Sequence, residues 1–159
     1  MRVLIAIGFL LFVSVAKSQI YSPLKWSCAV KKIGKDEAII YVKGVISDGW
    51  HIYSVDQPNG GPLKTNFTFS PSAEYSLIGK VKEPAPMVEF AEVFKIQVFY
   101  FKDSVVFEQK VKLTSMFRRT SLPKGAREIV VKGKIDYMAC TEERCTPPLE
   151  MKFSIPIKR

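Results

Sequence analysis

Two cysteines stand four residues apart in the stretch YMACTEERCTPP, at Cys140 and Cys145, with Pro147-Pro148 directly behind them. Such a pair either closes a short loop as a structural disulfide or cycles between dithiol and disulfide as a redox couple. A bridge across so few residues restricts the unfolded chain by only about 2 kcal/mol, far less than one joining distant strands. Short, exposed bridges are also the ones that exchange most readily. The spacing is not the Cys-x-x-Cys of thioredoxin, however, and no helix N-terminus is evident to activate a thiol. Spacing alone therefore leaves both readings open. Glu142 and Glu143 disfavour a neighbouring thiolate while Arg144 favours it, which predicts a thiol that reacts slowly until a partner docks.

Compartment decides between such readings. The chain opens MRVLIAIGFLLFVSVAKSQ: Arg2 is a positive n-region, Val3 to Val15 an apolar run, and Ala16-Lys17-Ser18 a small-x-small cleavage pattern. The run is shorter than the roughly 20 apolar residues that span a bilayer. It predicts a secretory signal peptide over 1–18, cut after Ser18, and a mature chain over 19–159 with no integral membrane segment. An exported chain meets oxidising conditions, where a nearby cysteine pair is expected to be oxidised.

Cutting after Ser18 removes Arg2 and Lys17, so the formal charge of +9 falls by two to +7. The lysines sit singly between apolar residues, as in VFEQKVKL, rather than in clusters, which argues for solvated strand faces and against nucleic acid as a partner. The mature length suits one domain.

The elements that must position the pair read as strands. Apolar residues alternate with polar ones at Trp26 to Lys32, Ala38 to Ile46, Trp50 to Tyr53, Asn66 to Ser70 and Ile96 to Phe101. The same period recurs at Val105 to Leu113, Glu128 to Met138 and Lys152 to Ile157. Turn residues separate them, among them Ser47-Asp48-Gly49, Pro84-Ala85-Pro86 and Pro123-Lys124-Gly125. Eight short strands with no helical stripe predict an all-β chain, an antiparallel β-sandwich. Within VVKGKIDYMAC, Cys140 has the parity of Lys132, Lys134 and Asp136, so it is expected to point out of the core at the sandwich edge.

Other chemistry has little support. No Ser-His-Asp order, paired-carboxylate site or phosphate loop stands out. His51, Cys140 and Cys145 supply three potential zinc ligands but no fourth. Cys28, on the first strand, is read as a free, half-buried thiol packing as a small hydrophobe, with a bridge to a partner protein as the alternative.

Four stretches carry a family resemblance: DGWHIYS (48–54), GGPLKTNFTFS (60–70), VFKIQVFYFKDSVVFEQKVKL (93–113) and YMACTEERCTPPLEMKFSI (137–155). Together they resemble the N-terminal periplasmic domain of the DsbD thiol:disulfide interchange proteins, in a stand-alone form. The resemblance implies an immunoglobulin-like antiparallel β-sandwich with a small inserted active-site loop region. It implies that Cys145 forms the mixed disulfide with partners and Cys140 resolves it. By the same resemblance Phe94 occupies the position of a cap-loop aromatic that shields the pair, with an ordinary strand-entry aromatic as the competing reading. Tyr53, His51 and Tyr137 fall beside the site; His51 stands where better-known members have tyrosine. As the lone histidine it is able to shuttle a proton, although an ordinary surface histidine is the commoner role. No cofactor beyond the redox-active disulfide is implied. Implied partners are thioredoxin-like proteins, a membrane electron-transfer reductase and exported disulfide-bearing proteins. The pair here is one residue closer than in better-known members. The sequence carries neither of the electron-feeding domains of the fused proteins, so the resemblance implies a separate reductase. The rival expectation is an immunoglobulin-like periplasmic binding module whose bridge is purely structural.

Overall fold

A computed structural model of the chain describes residues 22–114 and 128–158. The predicted signal peptide and the turn at Pro123-Lys124-Gly125 lie outside the described residues. Within them, alternating sequence becomes strand after strand: β1 Leu24–Lys32, β2 Glu37–Ile46, β3 His51–Tyr53, β4 Asn66–Phe69, β5 Tyr75–Lys82 and β6 Met87–Ala91. There follow β7 Ile96–Phe101, β8 Ser104–Leu113, β9 Glu128–Tyr137, β10 Ala139–Cys140 and β11 Leu149–Lys158. No helix occurs among the described residues, and so none that could cross a membrane.

All strand pairings are antiparallel, in sheets ordered β1-β2-β8-β5, β10-β3-β7-β6 and β11-β9-β4. The first sheet packs against the other two, as in the expected immunoglobulin-like sandwich. Its contribution to the core comes at every second residue, Ala38, Ile40 and Val42 on β2 and Val105, Phe107 and Val111 on β8. Opposite them lie Ile129, Val131 and Ile135 of β9 and Phe153, Ile155 and Ile157 of β11. Phe107 sits at the centre, with Trp26, Phe67 and Phe101 rings 6.3, 5.0 and 6.0 Å away.

Two strands escape the period-two reading. In β5 the pairing with β8 shifts register between Ile78 and Lys82, where Gly79 takes a φ of 69°. The buried Gln109 amide donates to the Ile78 carbonyl at 3.2 Å and so satisfies backbone that the shift frees. β6 follows the prolines predicted to form a turn. It is an edge strand whose side chains at Met87, Val88 and Phe90 are exposed, so no buried face imposes alternation. Cys28 also differs from expectation. It shares the phase of Leu24 and Trp26, but β1 is an edge strand, and Cys28 is free and exposed rather than half-buried.

Candidate redox site

β9 runs along the main core and continues through Met138 into β10. Side chains keep alternating: Tyr137 and Ala139 belong to the main core, whereas Met138 and Cys140 belong to a second cluster on the other face. Cys140 thus leaves the main core on the side that parity predicts. It is not accessible there, being 1% exposed. The outer face of the β10-β3-β7-β6 sheet carries its own cover of Tyr53, Val98 and Tyr100, with Ala91, Ile96 and Met138 packed around. The expectation that Cys140 points away from the main core holds; the exposure it suggested is corrected, because periodicity selects a face without saying what covers it. Cys145, beyond the turn, is exposed.

The chain between the cysteines is a tight hairpin. The Thr141 amide donates to the Arg144 carbonyl at 2.7 Å, and the Thr146 amide to the Ala139 carbonyl at 2.8 Å. Cys140 and Cys145, paired between these bonds, take the position where opposed side chains approach most closely. Their Cα atoms are 4.0 Å apart and their sulfurs are bonded. Side chains secure the turn. Thr141 Oγ1 accepts the amides of Glu143 at 3.2 Å and Arg144 at 3.1 Å, and Thr146 Oγ1 accepts the Ala139 amide at 3.2 Å. Sequence reasoning overlooked both threonines, although the repeated Cys-Thr in CTEERCT was a visible signal.

β3 supplies the adjoining face. His51 stands directly across from Cys140, and Tyr53 across from Tyr100 of β7. His51 Nε2 and the Tyr53 hydroxyl are 3.1 Å apart, and the imidazole meets the Tyr53 and Tyr100 rings edge-on, each at 5.3 Å. Ile52, between them, faces the main core instead.

The opposite rim comes from β6 and the turn at 92–95. The amides of Phe94 and Lys95 both donate to the Ala91 carbonyl, at 3.1 and 2.8 Å, and Lys95 takes a φ of 57° to close the turn. A cleft of about 540 Å³ lies between this rim and the hairpin, lined by Phe94, Tyr53, His51, Tyr100, Cys140 and Cys145 among others. Met87, Val88, Phe90, Val93 and Phe94 are all exposed, so the rim is apolar. Phe94, at 41% exposed, is no core residue. Tyr137 is not brought to this cleft. It faces the main core, edge-on to Trp26 at 5.2 Å with its hydroxyl 3.3 Å from Ser22 Oγ, because its parity is opposite to that of Cys140.

Charged side chains line the cleft as well, Glu89, Glu92, Lys102, Glu142, Glu143 and Arg144 among them. Lys102 Nζ is 5.4 Å from the centre of the Tyr100 ring and 3.9 Å from Glu142 Oε1. The Arg144 guanidinium lies 5.9 Å from the centre of the Trp50 ring. Burial, helped by Lys102 and opposed by Glu142 and Glu89, lowers the His51 pKa below its ordinary value. Burial, with Glu89 adding to it, pushes the Tyr53 and Tyr100 hydroxyls up. The neutral imidazole and neutral phenols thus frame a bridge with one covered and one open sulfur. Such a bridge is open to attack at Cys145, with Cys140 as the leaving sulfur.

The chain matches the family model of the N-terminal part of thiol:disulfide interchange protein DsbD over residues 24–156. Among solved structures it is similar to the N-terminal periplasmic domain of ScsB from Proteus mirabilis, with 13% sequence identity and a TM-score of 0.57. That likeness, one of fold, covers 85% of this chain and 47% of that chain, so the protein spans about half the length of the solved chain. A search of the curated proteins found no match.

Proposed function

The chain belongs to the DsbD N-terminal family, and from that membership we propose that it is a periplasmic thiol-disulfide exchange module. It passes reducing equivalents from a membrane or thioredoxin-like reductase to disulfides of exported proteins, through Cys140 and Cys145. One observation carries this reading: a disulfide with Cys145 exposed and Cys140 buried, set in a cleft beneath the Phe94 turn.

A donor thiolate attacks Cys145 Sγ, and the electron pair of the Cys140–Cys145 bond leaves on Cys140. A second donor thiol then resolves that mixed disulfide, leaving the donor oxidised and this protein a dithiol. Towards a substrate the Cys145 thiolate attacks one substrate sulfur and releases the other as a thiol. Cys140 then attacks Cys145 Sγ, which restores the bridge and frees the second substrate thiol. Two electrons and two protons have moved to the substrate. The apolar rim at Phe94 shields the bridge from small thiols and gives way to a partner that covers it.

The test, made in a Cys28→Ser background because Cys28 is a free, exposed thiol, is to incubate reduced Cys140→Ser protein with a disulfide-bearing periplasmic extract and resolve the products without reductant. Mixed disulfides should accumulate on Cys145 and be absent from Cys145→Ser. Equal yields from the two variants would remove the assignment of Cys145 as the exchanging sulfur.

A further inference from the structure

For Cys140 to resolve a mixed disulfide on Cys145, its thiol has to lose a proton inside a covered cluster. Burial disfavours a thiolate, and no helix among the described residues offers an N-terminus to stabilise one. Glu89 and Glu142 add negative charge at the same cleft. Of the cations lining it, Lys102 sits between the Tyr100 ring and Glu142, and Arg144 lies over Trp50.

His51 is placed to take the proton. It is the cross-strand partner of Cys140, and side chains so opposed on one face stand roughly 4.5–5.5 Å apart at Cβ. The ring is held between Tyr53 and Tyr100, with Nε2 engaged by the Tyr53 hydroxyl at 3.1 Å. Nδ1 has no hydrogen-bond partner among the described residues.

We propose that His51 is the general base of the resolving step: its imidazole accepts the Cys140 proton as Cys140 attacks Cys145. This rests on the reading of Cys140–Cys145 as a redox pair. The new bond uses an electron pair of Cys140 Sγ. The bond from Cys145 to the partner breaks with its electron pair on the partner sulfur, and the imidazolium gives its proton to that departing thiolate. In the reducing direction the imidazole first takes the proton of the donor thiol as that sulfur attacks Cys145, and passes it to Cys140 as it leaves. The groups facing His51 are Tyr53 on its own strand, Cys140 on β10, Tyr100 on β7, Lys102 beyond β7, Glu89 on β6 and Glu142 in the hairpin. Burial and Lys102 outweigh the two carboxylates, so the imidazole is neutral, and able to accept a proton, down to below its ordinary pKa of 6.5.

The experiment uses the mature protein with Cys28→Ser, reduced and mixed rapidly with excess dithiobis(nitrobenzoate). Attack by Cys145 releases one coloured nitrothiobenzoate, and resolution by Cys140 releases the second. With His51 present, the second rate should be nearly flat with pH between the imidazole and thiol pKa values, and should fall only as the imidazole protonates. In His51→Phe it should be slower by roughly 10²-fold near neutral pH. It should then fall tenfold per pH unit, following the thiolate fraction alone, and rise again with added imidazole. Should His51→Phe disturb the sheet, His51→Gln, which retains a hydrogen-bonding group, gives the same comparison. A variant with the rate and pH profile of the parent overturns the proposal. A parent that releases only one equivalent overturns the redox reading itself, and the proposal with it.

Discussion

The two sulfurs of the Cys140–Cys145 bridge live in different surroundings, and under the proposed exchange function that difference selects the sulfur a partner attacks. Cys140 is enclosed by Tyr53, Val98 and Tyr100, while Cys145 is exposed beyond the turn. Replacing Cys145 by serine should therefore abolish exchange yet leave the fold. A bridge over so short a loop contributes at most about 2 kcal/mol, so a loss of unfolding free energy larger than that would mark a structural staple. Phe94→Ala opens the rim and should speed reduction by dithiothreitol several-fold, with thermal unfolding unchanged; an unaltered rate would remove its shielding role. His51 adds a pH dependence of stability. Its folded pKa lies below the unfolded 6.5, so in that window the unfolded chain binds more protons and stability falls as pH drops. Denaturation midpoints from about pH 7 to about pH 5 should show this loss, and His51→Phe should reduce it.

At the scale of elements, β9 links the site to the core, and its fit depends on a glycine. A Cβ on Gly133 would overlap the Phe153 ring and the Thr68 carbonyl oxygen, which lie on the two strands flanking β9. Gly133→Ala should cost roughly 1–3 kcal/mol, the usual penalty of overpacking, read as a lowered denaturation midpoint; an unchanged midpoint would mean that the two neighbours part freely. Elements with one buried face were the legible ones. β2, β8, β9 and β11 show apolar residues at every second position because each has the core on one side only. β5 was hidden by its register shift at Gly79, and β6 by having no buried face to pattern it. The site was legible as far as its cysteines and its β3 face. Its cover was not, because Tyr100 and Val98 reach Cys140 only through the β3–β7 pairing, a contact between segments far apart in sequence. Tyr137 shows the same limit from the other side: three residues from Cys140 in the chain, it lies across the sheet from it.

For the whole molecule, the sandwich acts as a rigid frame that presents one hairpin and one apolar rim at its edge. The main core is centred on Phe107, which is 1% exposed. Phe107→Ala should cost roughly 3–5 kcal/mol by calorimetry or denaturant, while leaving the exchange chemistry of the protein that remains folded. Parallel losses of folding and of specific exchange rate would show that the cleft is not a separable unit. Among the described residues most lysines lie along strands rather than at the cleft, where Glu89, Glu92, Glu142 and Glu143 accompany Lys102 and Arg144. Under the proposed exchange function, partner choice falls to the apolar rim and the geometry of Cys145 more than to long-range attraction. The central claim, that the bridge is a working redox pair, is tested most directly by its reduction potential. Protein comprising residues 19–159 is equilibrated in glutathione and dithiothreitol buffers, and free thiols are trapped by alkylation, with Cys28→Ser as the parent so that only the pair is counted. A reversible potential of roughly −180 to −270 mV, the range of thioredoxin-like proteins, is the predicted result. A value well below roughly −300 mV would contradict it and make the bridge a structural staple in a binding module.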